Sequence, residues 1–422
     1  MNGGELPPEA SAPISSTANE SPYAVLHNRD FLLYLIGRFV ASLGAQMLVV
    51  AVGWELYERT HAALALGLVG LTNVVPMFLF TLPAGHFADN HDRKRIIVWT
   101  TAVMGLASVG LTLCSALHAP TPWIYAALFV GASARTFLWP ASSSFLPQLV
   151  SRRTFPRAVA WSTGSFQLSS VAGPAAGGAI IALTHHAAWV YAIHAASAVI
   201  CLTLVALVHY QQAPPAREPM TLASLAAGFR FVFSTRIIFG IITLDLFAVL
   251  LGGATALLPV YAKDILHAGP GGLGLLQAAL PVGSLITALV LAHRPLEKAG
   301  RALLWSVAGF GLATIGFGFS KWFLFSWLML FVCGVTDQVS VLVRHTLVQL
   351  LTPDEKRGRV SAVNSLFIGT SNELGGFESG FVAHWLGPVF SVVSGGVGSI
   401  LVVVAVGAIW PEIRRYGRLD TE

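Results

Sequence analysis

Charge is what this sequence lacks. Of 422 residues only 11% are Asp, Glu, Lys or Arg, against about 25% in soluble globular proteins. That deficit is too large for a water-facing surface of this size. Cysteine is scarce as well. Cys114, Cys201 and Cys333 all lie inside apolar runs, which excludes a secreted disulfide framework and leaves them as small core residues. No metal-ligand spacing, P-loop or nucleophile constellation can be assembled from the chain. An enzyme, a metal site, a cofactor and direct ATP-driven pumping are therefore not expected. The net charge of +5 does not point to nucleic acid, because the basic residues sit in short clusters between apolar runs.

Hydrophobicity is what is there. Hydrophobic residues make up 55% of the chain, with 41 Gly and 11 Trp, and the mean hydropathy is +0.70. Glycine lets membrane helices pack closely, and Trp marks the membrane interface. On that rule Trp54, Trp123, Trp189, Trp322 and Trp410, near predicted helix ends, read as anchors. Residues 1–22, rich in Pro, Ser, Ala and Glu, lack the basic and apolar regions of a signal peptide and read as a disordered cytoplasmic tail.

A membrane helix needs about 20 mostly apolar residues. Twelve stretches qualify: 31–54, 64–87, 95–116, 123–145, 158–182, 187–209, 237–261, 271–292, 302–319, 322–347, 360–385 and 388–410. The basic residues orient them. Alternate connections hold nearly all of the Lys and Arg, including Arg93, Lys94 and Arg95, Arg152, Arg153 and Arg157, and Lys356, Arg357 and Arg359. The intervening connections hold only Arg59, Lys263 and Lys321, while Arg38, Arg135 and Arg344 fall inside spans. This asymmetry places both termini in the cytoplasm.

The chain also resembles itself. A segment at 211–236, opening Ala-Pro-Pro-Ala-Arg-Glu-Pro at Ala213, divides the spans six and six and continues as an expected amphipathic surface helix. Gln148, Val159 and Phe166 recur as Gln349, Val360 and Phe367, each 201 residues on. The expected fold is an all-α membrane protein of two pseudo-symmetric six-helix halves, 23–210 and 237–410, with a cytoplasmic tail at 411–422. In such repeats a transport site lies between the halves.

The connection after span two reads Gly85-His-Phe-Ala-Asp89-Asn-His-Asp92-Arg93-Lys94-Arg95. It is either a plain basic loop or a motif. The spacing of Gly85, Asp89 and the following cations resembles the signature of the major facilitator superfamily. The resemblance implies a latch that holds the halves together when the carrier is open outward. Two positions depart from it: Asn90 replaces the usual Arg, and Asp92 the usual Gly. Span five carries Gly173-Pro174-Ala-Ala-Gly177-Gly178, which is either ordinary close packing or, by resemblance, the motif of the superfamily's antiporters. At the start of span eleven Thr352, Pro353 and Glu355 read as an N-cap, an N1 proline and a capping-box partner. The stretch from Arg344 to Gly380, taken with Leu258-Pro-Val-Tyr-Ala-Lys-Asp, resembles the enterobactin-exporter branch of bacterial carriers. The likeness runs from Arg29 to about Arg415. It implies proton-coupled export of siderophores or drugs, in a monomer of the bacterial inner membrane surrounded by lipid.

Charges inside the bilayer cost at least about 2.5–3.5 kcal/mol each. Arg38, Arg135, Asp245 and Asp337 lie in spans one, four, seven and ten, about 10–15 Å from their cytoplasmic ends at 1.5 Å per residue. By the resemblance these spans line a central cavity. The expectation is that Asp245 and Asp337 exchange protons as Arg38 and Arg135 approach and leave, since burial raises a carboxyl pKa and a nearby cation lowers it; a fixed structural pair is the other reading. Glu373 and Glu378 lie five residues apart in span eleven, on different faces. Each is either a second proton site or a polar residue packed beside Asn372 and Ser379. Import, lysolipid flipping and a non-transporting sensor or scaffold on the same fold are the competing functions; a sensor needs a soluble effector region, and neither the tail nor the linker is large enough.

Overall fold

The computed structural model describes residues 23–209, 229–293 and 298–417. The tail at 1–22 and most of the linker at 211–236 lie outside them. Among the described residues there is no strand, and twelve long helices follow one another: α1 (Arg29–Thr60), α2 (Ala63–Asn90), α3 (Arg93–Ala116), α4 (Thr121–Leu149), α5 (Phe155–Thr184), α6 (Ala188–Ala206), α7 (Arg236–Ile265), α8 (Gly269–His293), α9 (Ala299–Phe319), α10 (Phe323–Leu350), α11 (Asp354–Leu386) and α12 (Pro388–Ile409). Ten are long and apolar enough to cross a membrane. The two that fall short are α4 and α11, and the reason becomes plain at the site.

Local chemistry sets the ends. Asn28 starts α1 by accepting hydrogen bonds from the amides of Asp30 and Phe31 at 3.0 and 3.1 Å. Its own amide donates to the Leu149 carbonyl at 2.8 Å, which fixes the start of α1 to the end of α4. At the other end α1, α3, α5 and α7 are each followed by a histidine with positive φ: His61, His118, His185 and His267. The left-handed region is unusual for a residue with a Cβ, but histidine enters it more readily than most. One expectation fails here. Thr352 does not cap α11; its hydroxyl donates back to Val348 at 2.5 Å, and the helix starts after Pro353 without a side-chain cap.

The packing pattern repeats. In the first six helices α1 packs on α5 and α6, α2 on α4, and α3 on α4 and α6. In the second six α7 packs on α11 and α12, α8 on α10, and α9 on α10 and α12. Adding six to each helix number converts the first set into the second. Between the sets, α2 lies on α11 and α5 on α8, and these two crossings also exchange under the same operation. The 201-residue offset survives too, since α4 ends at Leu149 and α10 at Leu350.

The outer faces carry large apolar residues, with Trp99 71%, Trp305 77% and Leu183 81% exposed. A water-soluble monomer does not carry a belt of this kind. Trp123, Trp189 and Trp322 are exposed at helix ends, as interfacial anchors are. Trp54 is only 8% exposed and does not anchor; it packs inward beneath Lys263, whose ammonium lies 5.8 Å from the ring centre.

One predicted span is not a continuous α-helix. Regular α7 stops at Leu251, resumes as a tight turn at Ala254–Leu257, and ends in a π-turn at Tyr261–Ile265. Gly252 and Gly253 make the break. A Cβ at Gly253 would lie 2.4 Å from the Gly375 carbonyl of α11. Two glycines in sequence allow α7 to unwind where α11 presses on it.

Candidate functional site

The two crossings between the halves lie near the end opposite the termini, and both are made by glycine. A Cβ at Gly178 of α5 would sit 2.5 Å from the Pro270 carbonyl and 2.9 Å from Gly274 Cα, at the start of α8. A Cβ at Gly380 of α11 would sit 2.6 Å from Gly67 of α2. Gly173 and Gly177 face α1 instead, against Gln46 and Met47. Pro174 lends its carbonyl to the α8 contact, 2.3 Å from a Cβ at Gly274. The Gly-Pro stretch therefore joins three helices from both halves.

Polar contacts reinforce this seal. The Tyr57 hydroxyl of α1 donates to Asp264 in the π-turn of α7. Lys263 pairs with Glu58 at 3.9 Å. Glu58 is half exposed, so that ion pair contributes little by itself. A leucine at Gly178 is expected to wedge the seal open. In a background with Cys114, Cys201 and Cys333 replaced by Ser, a Val49→Cys reporter in the wall below should react with impermeant maleimide from the sealed side at least about tenfold faster in Gly178→Leu. Unaltered labelling would show that the seal does not depend on this crossing.

Below the seal lies a cavity of about 510 Å³. Its walls are largely apolar, with Val49, Val52, Leu66, Val69, Leu111, Leu128, Leu276 and Leu330 among them. Polar groups interrupt the wall in pairs. Gln46 donates to Ser170 at 3.1 Å, and Ser108 shares a 2.5 Å hydrogen bond with His194, which is 3% exposed.

Among the described residues two charged ones line the cavity, Arg135 of α4 and Glu373 of α11. They meet across the two halves at 3.2 Å. Asn73 of α2 donates to the second carboxylate oxygen of Glu373 at 3.1 Å. Polar content is what keeps α4 and α11 below the apolar threshold, and these two helices carry the interdomain pair.

The other expected site residues are placed elsewhere. Asp245 does not face Arg38 or Arg135. It pairs with Arg344 of α10 inside the second half, with the two side chains 9% and 4% exposed. Arg344 falls inside predicted span ten, where the sequence assigns it no partner; α10 runs past the predicted end at 347 to Leu350. Arg38 and Asp337 are half-buried; neither lines the cavity, and among the described residues neither forms an ion pair. Among the described residues Glu378 accepts only from neighbouring Ser379, at 3.4 Å. The four charges thus do not assemble as two facing pairs; Arg135 meets Glu373 instead. Sequence reasoning also missed Asn73, Tyr57 and Asp264. The signal for Asn73 was present: it is a carboxamide in the middle of apolar span two.

The loop after α2 engages its own half. Asp92 caps α3, accepting from the amides of Lys94 and Arg95 at 2.8 and 3.3 Å. Lys94 caps the far end of α6, donating to the carbonyls of Ala206 and Val208, both at 2.7 Å. Asn90 folds back on the His86 carbonyl at 2.8 Å. Asp89 is half-buried one turn before Arg93. Burial pushes its carboxyl above the usual range, while Arg93 and His86 pull it back. The departures at positions 90 and 92 have local uses: one closes a helix and the other opens the next.

Comparison with known proteins agrees with this geometry. The enterobactin exporter EntS of Citrobacter koseri is 29% identical over 394 residues, covering 92% of this chain and 93% of that protein. The exporter of Escherichia coli O1:K1 matches to the same extent. Among solved structures, a POT peptide transporter superposes with a TM-score of 0.73 at 11% identity, covering 95% of this chain and all of that one. The nucleoside transporter NupG gives 0.71 at 14%, covering 90% and 100%. At such identities these structures speak for the fold alone. The model of the family described as "Transmembrane secretion effector" matches residues 20–416, so the chain belongs to that family of the major facilitator superfamily, whose members are carriers and not enzymes.

Proposed function

We propose that this protein exports amphipathic small molecules across the bacterial inner membrane in exchange for protons, as a monomer with both termini in the cytoplasm. The observation that carries the reading is the Arg135–Glu373 pair: a cation from one half and a carboxylate from the other, in contact at the wall of a largely apolar cavity. Protonating Glu373 removes the attraction that holds α4 to α11 and frees Arg135. Deprotonation restores it. Conformation and proton occupancy are linked through this one contact. Asp337, without an ion-pair partner among the described residues, is the second candidate for a proton. The basic clusters at 93–95, 152–157 and 356–359 support the cytoplasmic placement.

The 29% identical relatives are named for enterobactin, which makes it the first cargo to try. Inverted membrane vesicles should accumulate it when their lumen is acidified. An uncoupler should abolish the accumulation. Uptake that ignores the pH gradient, or efflux from the inverted vesicles, would overturn the coupling or the direction respectively.

A further inference from the structure

We propose that the cavity selects cargo of zero net charge that carries neutral polar groups, such as hydroxyls or amides, on an apolar body. This deepens the transport reading and rests on it, but not on its direction or driving ion. The formal charges on the wall, Arg135 and Glu373, cancel across 3.2 Å. The remaining polar wall includes four carboxamides, Gln46, Asn73, Gln277 and Asn372. The amide nitrogens of Gln46, Asn73 and Asn372 donate to Ser170, Glu373 and the Ile368 carbonyl. Among the described residues none of the four side-chain carbonyl oxygens receives a hydrogen bond. An amide oxygen is an acceptor only. Each carboxamide nitrogen carries two N–H groups, so the four side chains offer an entering molecule acceptors and donors alike, without formal charge.

The ion pair sets the charge rule. Glu373 is 25% exposed and Arg135 55%, so both can be reached without being separated. A carboxylate oxygen accepts more than one hydrogen bond, and a guanidinium has five N–H groups. A cargo hydroxyl can thus donate to Glu373 while accepting from Arg135, leaving the pair intact. An anionic cargo would draw Arg135 away and strand a carboxylate in an apolar cavity. A cationic cargo would strand the guanidinium. Either separates the pair and leaves one charge uncompensated at the wall of a largely apolar cavity, which is the costly outcome.

The test uses three probes on one naphthyl scaffold: a neutral diol, a trimethylammonium and a sulfonate. Their binding to the purified full-length protein in nanodiscs is measured by titration calorimetry near neutral pH, with no gradient. The wild type should bind the diol at least about tenfold tighter than either ion. Arg135→Gln should shift the preference to the ammonium, and Glu373→Gln to the sulfonate. The double variant should return it to the diol. An ion that binds the wild type as tightly as the diol overturns the proposal, as do folded single variants that keep the wild-type order. If a single variant does not fold, the wild-type ranking decides. Loss of proton-driven accumulation with this ranking intact would remove the driving ion and leave the selectivity standing.

Discussion

Glu373→Gln is expected to abolish uphill transport. One proton exchanged per cargo molecule supports about tenfold accumulation for each pH unit of gradient, since both correspond to about 1.4 kcal/mol. In inverted vesicles the variant should fall from that ratio to about one. Gln keeps the size and one acceptor oxygen, for Arg135 or for Asn73, but cannot exchange a proton. Cargo exchange without a gradient, read as counterflow of labelled for unlabelled cargo, should therefore persist. That split between accumulation and counterflow separates lost coupling from lost folding. Full accumulation in Glu373→Gln together with its loss in Asp337→Asn would move the proton site to α10.

Breaking the Asp245–Arg344 pair should produce the largest loss of stability. Both side chains are buried, at 8% and 3% residue exposure, and they join α7 to α10 within the second half. Removing one partner leaves the other as a buried, uncompensated charge, at a cost of about 3–5 kcal/mol. Asp245→Leu and Arg344→Met should each lower the unfolding midpoint of the purified protein accordingly. The double variant should recover most of the loss, because no charge is then stranded and apolar side chains fill the space. Its transport is the decisive readout. If it is stable and still accumulates cargo, the pair is a clasp within one half. If it is stable and transport is uncoupled, Asp245 takes part in proton exchange, as its position in a central span suggests when the sequence is read alone.

In both predictions the residues were visible in the sequence and their pairing was not. Glu373 and Arg135 could both be found in the sequence, as charges in apolar surroundings, but not as partners. They are separated by 238 residues and lie on helices of different halves. Asp245 and Arg344 were both visible as charges inside spans, but nothing in the sequence joins them as partners across α7 and α10. The break in α7 left a signal in Gly252-Gly253, yet its reason, the backbone of Gly375 pressing from α11, exists only in three dimensions.

What the sequence determined by itself is whatever follows from local composition and its period: twelve helices, the alternation of basic connections, the six-and-six repeat, and the close-packing glycines of span five. Each depends on residues close together in the chain, or on a pattern that repeats along it. The choice of partner for each buried charge was settled only by the tertiary structure. Four helices of similar depth could have paired their charges in several ways. The crossings of α2 with α11 and α5 with α8 bring Arg135 to Glu373, while the packing of the second half keeps Asp245 with Arg344. Where charges in low dielectric pair, they pair with the nearest opposite charge, and what is nearest is a property of the packed bundle.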